Sequence, residues 1–263
     1  MGCSMNTLKA KLNAGEKLIG THVSLIDPSV CEILGMIGFD YIWIDMEHTC
    51  IDFQTLNECL LAVRATGSNA IVRVPQHDYT YLKKVLEMGP DGIVFPMIHN
   101  VEEARADISH TLYPPYGVRG FGPRSAVAYG MSDINSYVTN GSLDMCRFIQ
   151  IEHIDAVNCL HELLQIPFID GYIVGPCDLA GSINQLDNQY GEDNHNLIEH
   201  VVNQVRNSGR YVGLSTGAFS KEKLKYWCSF GLDMISAGAD TDYLIYGAKY
   251  AWNSLSDEQK SNT

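Results

Sequence analysis

The chain has 263 residues, 46% hydrophobic and 19% charged, which suits one sizeable core and excludes a disordered chain. A formal net charge of -13 works against nucleic acid and anionic membrane surfaces, both of which require clustered Lys and Arg. The 8 cysteines show no CxxC pair and no zinc-finger spacing, so they read as small buried hydrophobes and not as disulfides or a zinc centre.

No secretory signal or 18-residue apolar run is present, and the expected location is cytoplasmic. Met1-Gly2-Cys3 is similar to an acylated start, but Asn6 stands where that pattern needs Ser or Thr, so lipidation is not expected.

In chain order, short apolar runs alternate with longer amphipathic ones. A strand over Leu18–Leu25 is followed by a helix over Ser29–Met36, and a strand over Tyr41–Met46 by a helix over Phe53–Ala65. The strands Ala70–Val74 and Gly92–Phe95 precede helices over Tyr79–Met88 and Val101–Leu112. Next come a strand over Arg147–Ile151, a helix over Asp155–Leu164, a strand over Gly171–Val174 and a helix over His195–Ser208. The strands Tyr211–Leu214 and Asp233–Ser236, with helices Lys221–Phe230 and Asp240–Trp252, close the series.

Strictly alternating strands and helices predict an α/β fold, a (β/α)8 barrel. A doubly wound sheet would carry a glycine-rich loop after its first strand, and Val23-Ser24-Leu25-Ile26-Asp27-Pro28 is not one. No linker or internal repeat is evident. The expectation is a single domain over 1–263, with the barrel core over about 18–240 and a C-terminal helix over 240–253. The connections Tyr113–Cys146 and Pro176–Asn194 are long enough to read as functional loops.

Barrel chemistry sits at the C-terminal ends of strands. There the sequence places Asp45-Met46-Glu47-His48, Arg73, Gln150-Ile151-Glu152-His153 and Gly175-Pro176-Cys177-Asp178. Glu152 and Asp178 end consecutive strands, whose spacing is about 4.8 Å, and two carboxylates that close call for a cation or a proton between them. A hard divalent metal fits, since it takes oxygen ligands and leaves positions open; two separate surface carboxylates are the bland alternative. Arg73, inside an apolar strand, reads either as an ion pair with Asp45 or Glu47 or as an oxyanion clamp. His48 is placed for proton transfer, and His153 points to the opposite face as a structural residue. The segments beginning Ser215-Thr216-Gly217 and Ser236-Ala237-Gly238 occupy the usual phosphate loops of a barrel, a weak signal. His161-Glu162 lacks the second His of a zincin helix, and Gly117-Val118-Arg119-Gly120-Phe121-Gly122 follows a loop and not a strand.

These segments together resemble the HpcH/HpaI aldolases, metal-dependent class II enzymes of 2-oxo-acid metabolism. The resemblance rests on Tyr41-Ile42-Trp43-Ile44-Asp45-Met46-Glu47-His48, Ile71-Val72-Arg73-Val74-Pro75 and Tyr113-Pro114-Pro115-Tyr116-Gly117-Val118-Arg119-Gly120. Gln150-Ile151-Glu152 and Gly175-Pro176-Cys177-Asp178-Leu179 complete it, in family order over most of the chain.

The resemblance implies reversible cleavage of a 4-hydroxy-2-oxo acid to pyruvate and an aldehyde. It implies that Glu152 and Asp178 bind magnesium, manganese or cobalt, with no organic cofactor. Gly175, Cys177 and Asp178 would seat the substrate carboxylate, Arg73 its carbonyl oxygen, and His48 would transfer protons with Asp45 in support. Glu87 would pair with His48 of a neighbouring subunit in a homohexamer built from dimers that exchange a C-terminal helix. Three departures stand out: Glu87 replaces an Asp, Met46 a small residue, and Cys177 an Ala, which puts a thiol near the metal. No strand end carries the lysine a Schiff-base aldolase needs. The rival readings are a citrate-lyase-like enzyme acting on a CoA thioester, for which no basic approach path is evident, and a non-catalytic oligomeric barrel.

Overall fold

The computed structural model describes residues 6–75 and 77–261, apart from the side chains of residues 258, 260 and 261; Cys3 and the rest of the Met1-Gly2-Cys3 start lie outside the described residues. Eight parallel strands close a barrel in sequence order. They are β1 (Leu18–Val23), β2 (Tyr41–Asp45), β3 (Asn69–Arg73), β4 (Gly92–Phe95), β5 (Cys146–Ile151), β6 (Gly171–Val174), β7 (Tyr211–Thr216) and β8 (Met234–Ala239). β8 pairs with β1, so the sheet has no free edge. Among the described residues no helix is long and apolar enough to cross a membrane.

Two apolar layers hold this ring. Outside it, β-branched and aliphatic strand residues such as Val23, Ile42, Ile44, Val72 and Ile149 pack under the helices. Inside it, Leu18, Tyr41, Trp43, Ile71, Val94, Phe148, Ile173 and Met234 fill the lumen. A helix over Thr7–Asn13, absent from the sequence expectation, adds Leu8 and Leu12 to that inner cluster. Its entry is fixed at the strands' N-terminal ends by Asn6 Nδ2 donating to Asp91 O (2.6 Å) and Thr7 Oγ1 donating to Asn69 Oδ1 (2.5 Å). The segment is too short for helical periodicity to stand out, and burial of its two leucines decides its conformation.

At that end a device recurs every second strand. The carboxylates of Asp40, Asp91, Asp170 and Asp233, each just before an even-numbered strand, accept the backbone N–H of Ile19, Ala70, Arg147 and Val212 in the preceding odd strand. Lys11, Lys9 and Lys17 pair with Asp40, Asp170 and Asp233 at 2.7–2.9 Å. The barrel thus carries a structural repeat where no internal repeat is evident in the sequence.

Other expectations are corrected. Pro176–Asn194 is not an open connection: Pro176–Ser182 is helical, with Pro at the first turn where its fixed φ suits, and the next helix already starts at Glu192. The helix expected over Asp155–Leu164 divides into Ile154–Asn158 and Leu160–Leu163. Ser215 and Ser236 lie within β7 and β8, in register with each other, so they do not open phosphate loops. The C-terminal helix runs on from Asp240 to Ser261, since no Gly or Pro follows Trp252 to stop it.

The connection Tyr113–Cys146 is anchored by Arg119, a residue the sequence reading passed over within a glycine-rich run. Buried to 3% exposure, its guanidinium lies 4.6 Å from the Tyr113 ring centroid and 5.9 Å from that of Tyr137, and donates to Leu86 O at 3.2 Å.

Candidate active site

A cleft of about 280 Å³ opens at the C-terminal ends of the strands. One arc, from β2, β3, β5 and β6, supplies Asp45, His48, Arg73, Gln150, Glu152 and the Gly175–Asp178 turn; the other, from β7, β8 and β1, supplies Ser215, Thr216, Ala239, His22 and Ser24. Every predicted site residue except Glu87 therefore lines one cavity. A larger depression of about 470 Å³ lies towards the opposite end, beside Asn6, Asp91 and the loop around Tyr129, and gathers none of these groups.

Asp45 and Arg73 are register partners across β2 and β3. Arg73 donates through Nε to Asp45 Oδ1 (2.9 Å) and through Nη2 to Oδ2 (2.6 Å), a two-pronged bond. Burial alone would raise the Asp45 carboxyl, but the Arg73 hydrogen bonds and charge outweigh it and hold the carboxyl below its ordinary value. The other edge of the guanidinium faces the cleft: Nη1 lies 3.0 Å from Glu47 Oε2 and 3.5 Å from Gln150 Oε1. The Glu47 contact is an ion pair whose angles fall short of a hydrogen bond. Burial raises the Glu47 carboxyl despite Arg73. His48 stands exposed at the mouth, with Nε2 3.4 Å from Glu47 Oε2.

Glu152 projects from the end of β5 and is 2% exposed. Its Oε1 accepts the Met97 N–H (2.7 Å) and its Oε2 accepts from Gln150 Nε2 (2.6 Å), so Gln150 bridges Arg73 to Glu152. Burial pushes its carboxyl up to about 7, the Met97 bond opposes this, and the charge of Asp178 adds to it. Gly175 faces it from β6: a Cβ there would fall 2.5 Å from Glu152 Oε2, so only glycine lets the carboxylate lie in the cleft. Gly175 is also the cap of the helix Pro176–Ser182 and offers no side chain to the first N–H groups of that helix, which include those of Cys177 and Asp178, two residues that line the cavity. The Cys177 thiol donates to Gln189 Oε1 (3.2 Å), and desolvation pushes its pKa up, which disfavours the thiolate a soft metal would require.

Glu87 is half-buried at the end of the helix Tyr79–Met88, against the loop at Gly122, and lies outside its own cleft. His153 caps the helix Ile154–Asn158, with Nδ1 accepting the Asp155 N–H (3.2 Å), and takes no part in the cleft. Among the described residues His99, His153 and Asp155 bring three ligand-type atoms within 4.8 Å of one another. The two rings, however, stack at 4.4 Å and 14°, so their in-plane lone pairs run side by side and do not converge on an ion.

Sequence reading missed His22 and the pairings of Ser215 and Gln150. His22 Nδ1 lies 2.8 Å from Gly238 O and its Nε2 2.8 Å from Ser215 Oγ. A histidine inside the first apolar run was the available signal, but nothing in the sequence pairs it with a serine 193 positions away.

Comparison with known proteins adds an independent line. The family model described as HpcH/HpaI aldolase/citrate lyase matches residues 18–246. A hydroxypyruvate/pyruvate aldolase of Roseovarius nubinhibens is 30% identical over 249 residues, covering 95% of this chain and 96% of that protein. A 4-hydroxy-2-oxo-heptane-1,7-dioate aldolase of Escherichia coli is 31% identical over 244 residues, covering 93% and 92%. The crystal structure of an HpcH/HpaI aldolase/citrate lyase family protein from Burkholderia cenocepacia matches with TM-score 0.88 and 28% identity, over 95% of this chain and 99% of that one. With the barrel and the matches over most of the chain in agreement, the chain belongs to the HpcH/HpaI aldolase/citrate lyase family.

Proposed function

We propose that the cleft reversibly cleaves a 4-hydroxy-2-oxo acid to pyruvate and an aldehyde, with magnesium, manganese or cobalt held by Glu152 and Asp178. The observation that carries this reading is the meeting of Arg73, Glu152 and Asp178 in one cavity. The donor set suits a hard cation, because a buried carboxyl raised to about 7 stands beside a second carboxylate and makes no ion pair among the described residues. When bound, the cation supplies Lewis-acid polarisation of the substrate's 2-oxo group.

The chain's own residues account for the other steps. Breaking the C3–C4 bond sends its electron pair towards the 2-oxo oxygen, where Arg73 Nη1 is the donor, its guanidinium locked from behind by Asp45. The proton of the 4-hydroxyl passes to His48, whose positive charge Glu47 supports from 3.4 Å. Returning that proton to C3 completes pyruvate. The N–H groups of Cys177 and Asp178 hold the substrate carboxylate at the helix start.

The proposed assembly is a homohexamer of dimers that exchange the helix Asp240–Ser261, placing Glu87 beside the partner subunit's His48. It is supported by the position of Glu87 outside its own cleft and by the apolar face of that helix, where Leu244, Ile245, Trp252 and Leu255 are all exposed. Incubating the purified protein with a panel of 4-hydroxy-2-oxo acids and following pyruvate tests the reaction. Pyruvate is expected from at least one; cleavage of a CoA thioester in its place would assign the chain to the thioester lyases.

A further inference from the structure

We propose that the β7–β8–β1 arc of the cleft selects a short, uncharged hydroxyaldehyde, and that Ser215 accepts the hydrogen bond of its hydroxyl group. This rests on the aldolase reading above and names the partner that reading leaves open.

Gly238, at φ 69°, turns its carbonyl towards His22, and a carbonyl oxygen can only accept. His22 Nδ1 therefore carries a proton. Burial lowers the imidazole below its ordinary pKa, so at neutral pH the ring is neutral and Nε2 is the bare, accepting nitrogen. Ser215 must then donate its one proton to Nε2, and only oxygen lone pairs remain for the cleft. The ring is held edge-on against Trp43, with centroids 5.4 Å apart, which keeps this arrangement fixed.

Ser24 repeats the pattern independently. Its Oγ donates to Asp240 Oδ1 (2.7 Å), a carboxylate already held by the N–H groups of Ser24 and Leu25. Both serines thus turn acceptor-only oxygens to the same side of the cleft. Two acceptors without protons recognise a donor, which a hydroxyl supplies and a carboxylate or a bare methyl does not.

Charge narrows the class further. Arg73, the one Lys or Arg among the described residues that line the cleft, stands on the opposite arc and already pairs with Asp45 and Glu47. A second carboxylate on the aldehyde would meet the serine lone pairs, with Asp240 behind them, and on that arc no Lys or Arg among the described residues. A cavity of about 280 Å³ has room for pyruvate and a partner of a few carbons.

The test measures kcat/KM for condensation of pyruvate with glycolaldehyde and with acetaldehyde, using the intact metal-loaded protein. The wild type is expected to prefer glycolaldehyde. Ser215→Ala should lower the glycolaldehyde-to-acetaldehyde ratio about five- to tenfold, the size of one lost hydrogen bond. His22→Phe, which releases the serine proton, should lower the same ratio. A purely structural Ser215 would change both aldehydes alike, so an unchanged ratio in both variants overturns the proposal. Preference for succinic semialdehyde overturns it too, as does a Ser215→Ala effect seen only when hydroxypyruvate replaces pyruvate as the nucleophile. Absence of condensation with every aldehyde would instead refute the aldolase reading, and the proposal would fall with it.

Discussion

A guanidinium with a side-chain exposure of 11% must be surrounded by acceptors, and Arg73 finds them on both edges. Asp45 takes Nε and Nη2, while Glu47 and Gln150 stand near Nη1. An ion pair and a substrate-facing donor therefore coexist in one side chain. Lysine would keep the charge and lose the planar fork. Arg73→Lys should retain the far-UV spectrum and the metal while turnover falls at least about tenfold, the cautious end of the effect of losing one oxyanion donor. Unfolding of the variant with an empty metal site would instead make the arginine structural. An arginine amid Ile71, Val72 and Val74 is conspicuous in the sequence, as are carboxylates at strand ends. The Gln150 bridge and the His22–Ser215 pair are not, because each needs the register of strands distant in the chain.

Among the elements, the strands were legible because buried parallel strands read as short apolar runs between glycine-marked helix ends. The ends of β7 and β8 were not, since Ser215, Thr216 and Ala237 look like loop residues until the neighbouring strand pairs them. The four aspartates at the N-terminal rim were invisible for a similar reason: each acts on a backbone N–H about 20 residues earlier. Asp170 joins β6 to the Arg147 N–H of β5 at 2.8 Å and also meets Lys9. Replacing it by Ala should lower unfolding stability by about 1.5–3 kcal/mol, the range for a hydrogen bond to a charged group. Urea denaturation at constant m would show this. The cleft is at the other end of the barrel, so metal affinity should stay within twofold of wild type, allowing about 0.4 kcal/mol for residual coupling between distant sites; a large drop would mean the rim reaches the site.

For the whole molecule, the helix Asp240–Ser261 leaves Trp252 72% and Leu255 65% exposed, more apolar surface than a solvated helix needs to show. Trp252→Glu combined with Leu255→Glu should reduce the mass found by light scattering and, with it, turnover, because the proposed site takes Glu87 from a partner. Full activity in a dissociated monomer would contradict the shared site. The amphipathic helix was legible in the sequence; what covers it was not, since an apolar face does not name its occupant. The proposed reaction requires a cation between Glu152 and Asp178. The most direct measurement is pyruvate release from a cleavable 4-hydroxy-2-oxo acid by wild type and Asp178→Asn, before and after chelator dialysis and with magnesium or manganese restored. The account predicts activity that is lost on dialysis and regained with metal in the wild type, and neither activity nor stoichiometric metal in the variant. Full turnover by the metal-free protein, or undiminished turnover and metal affinity in Asp178→Asn, would contradict it.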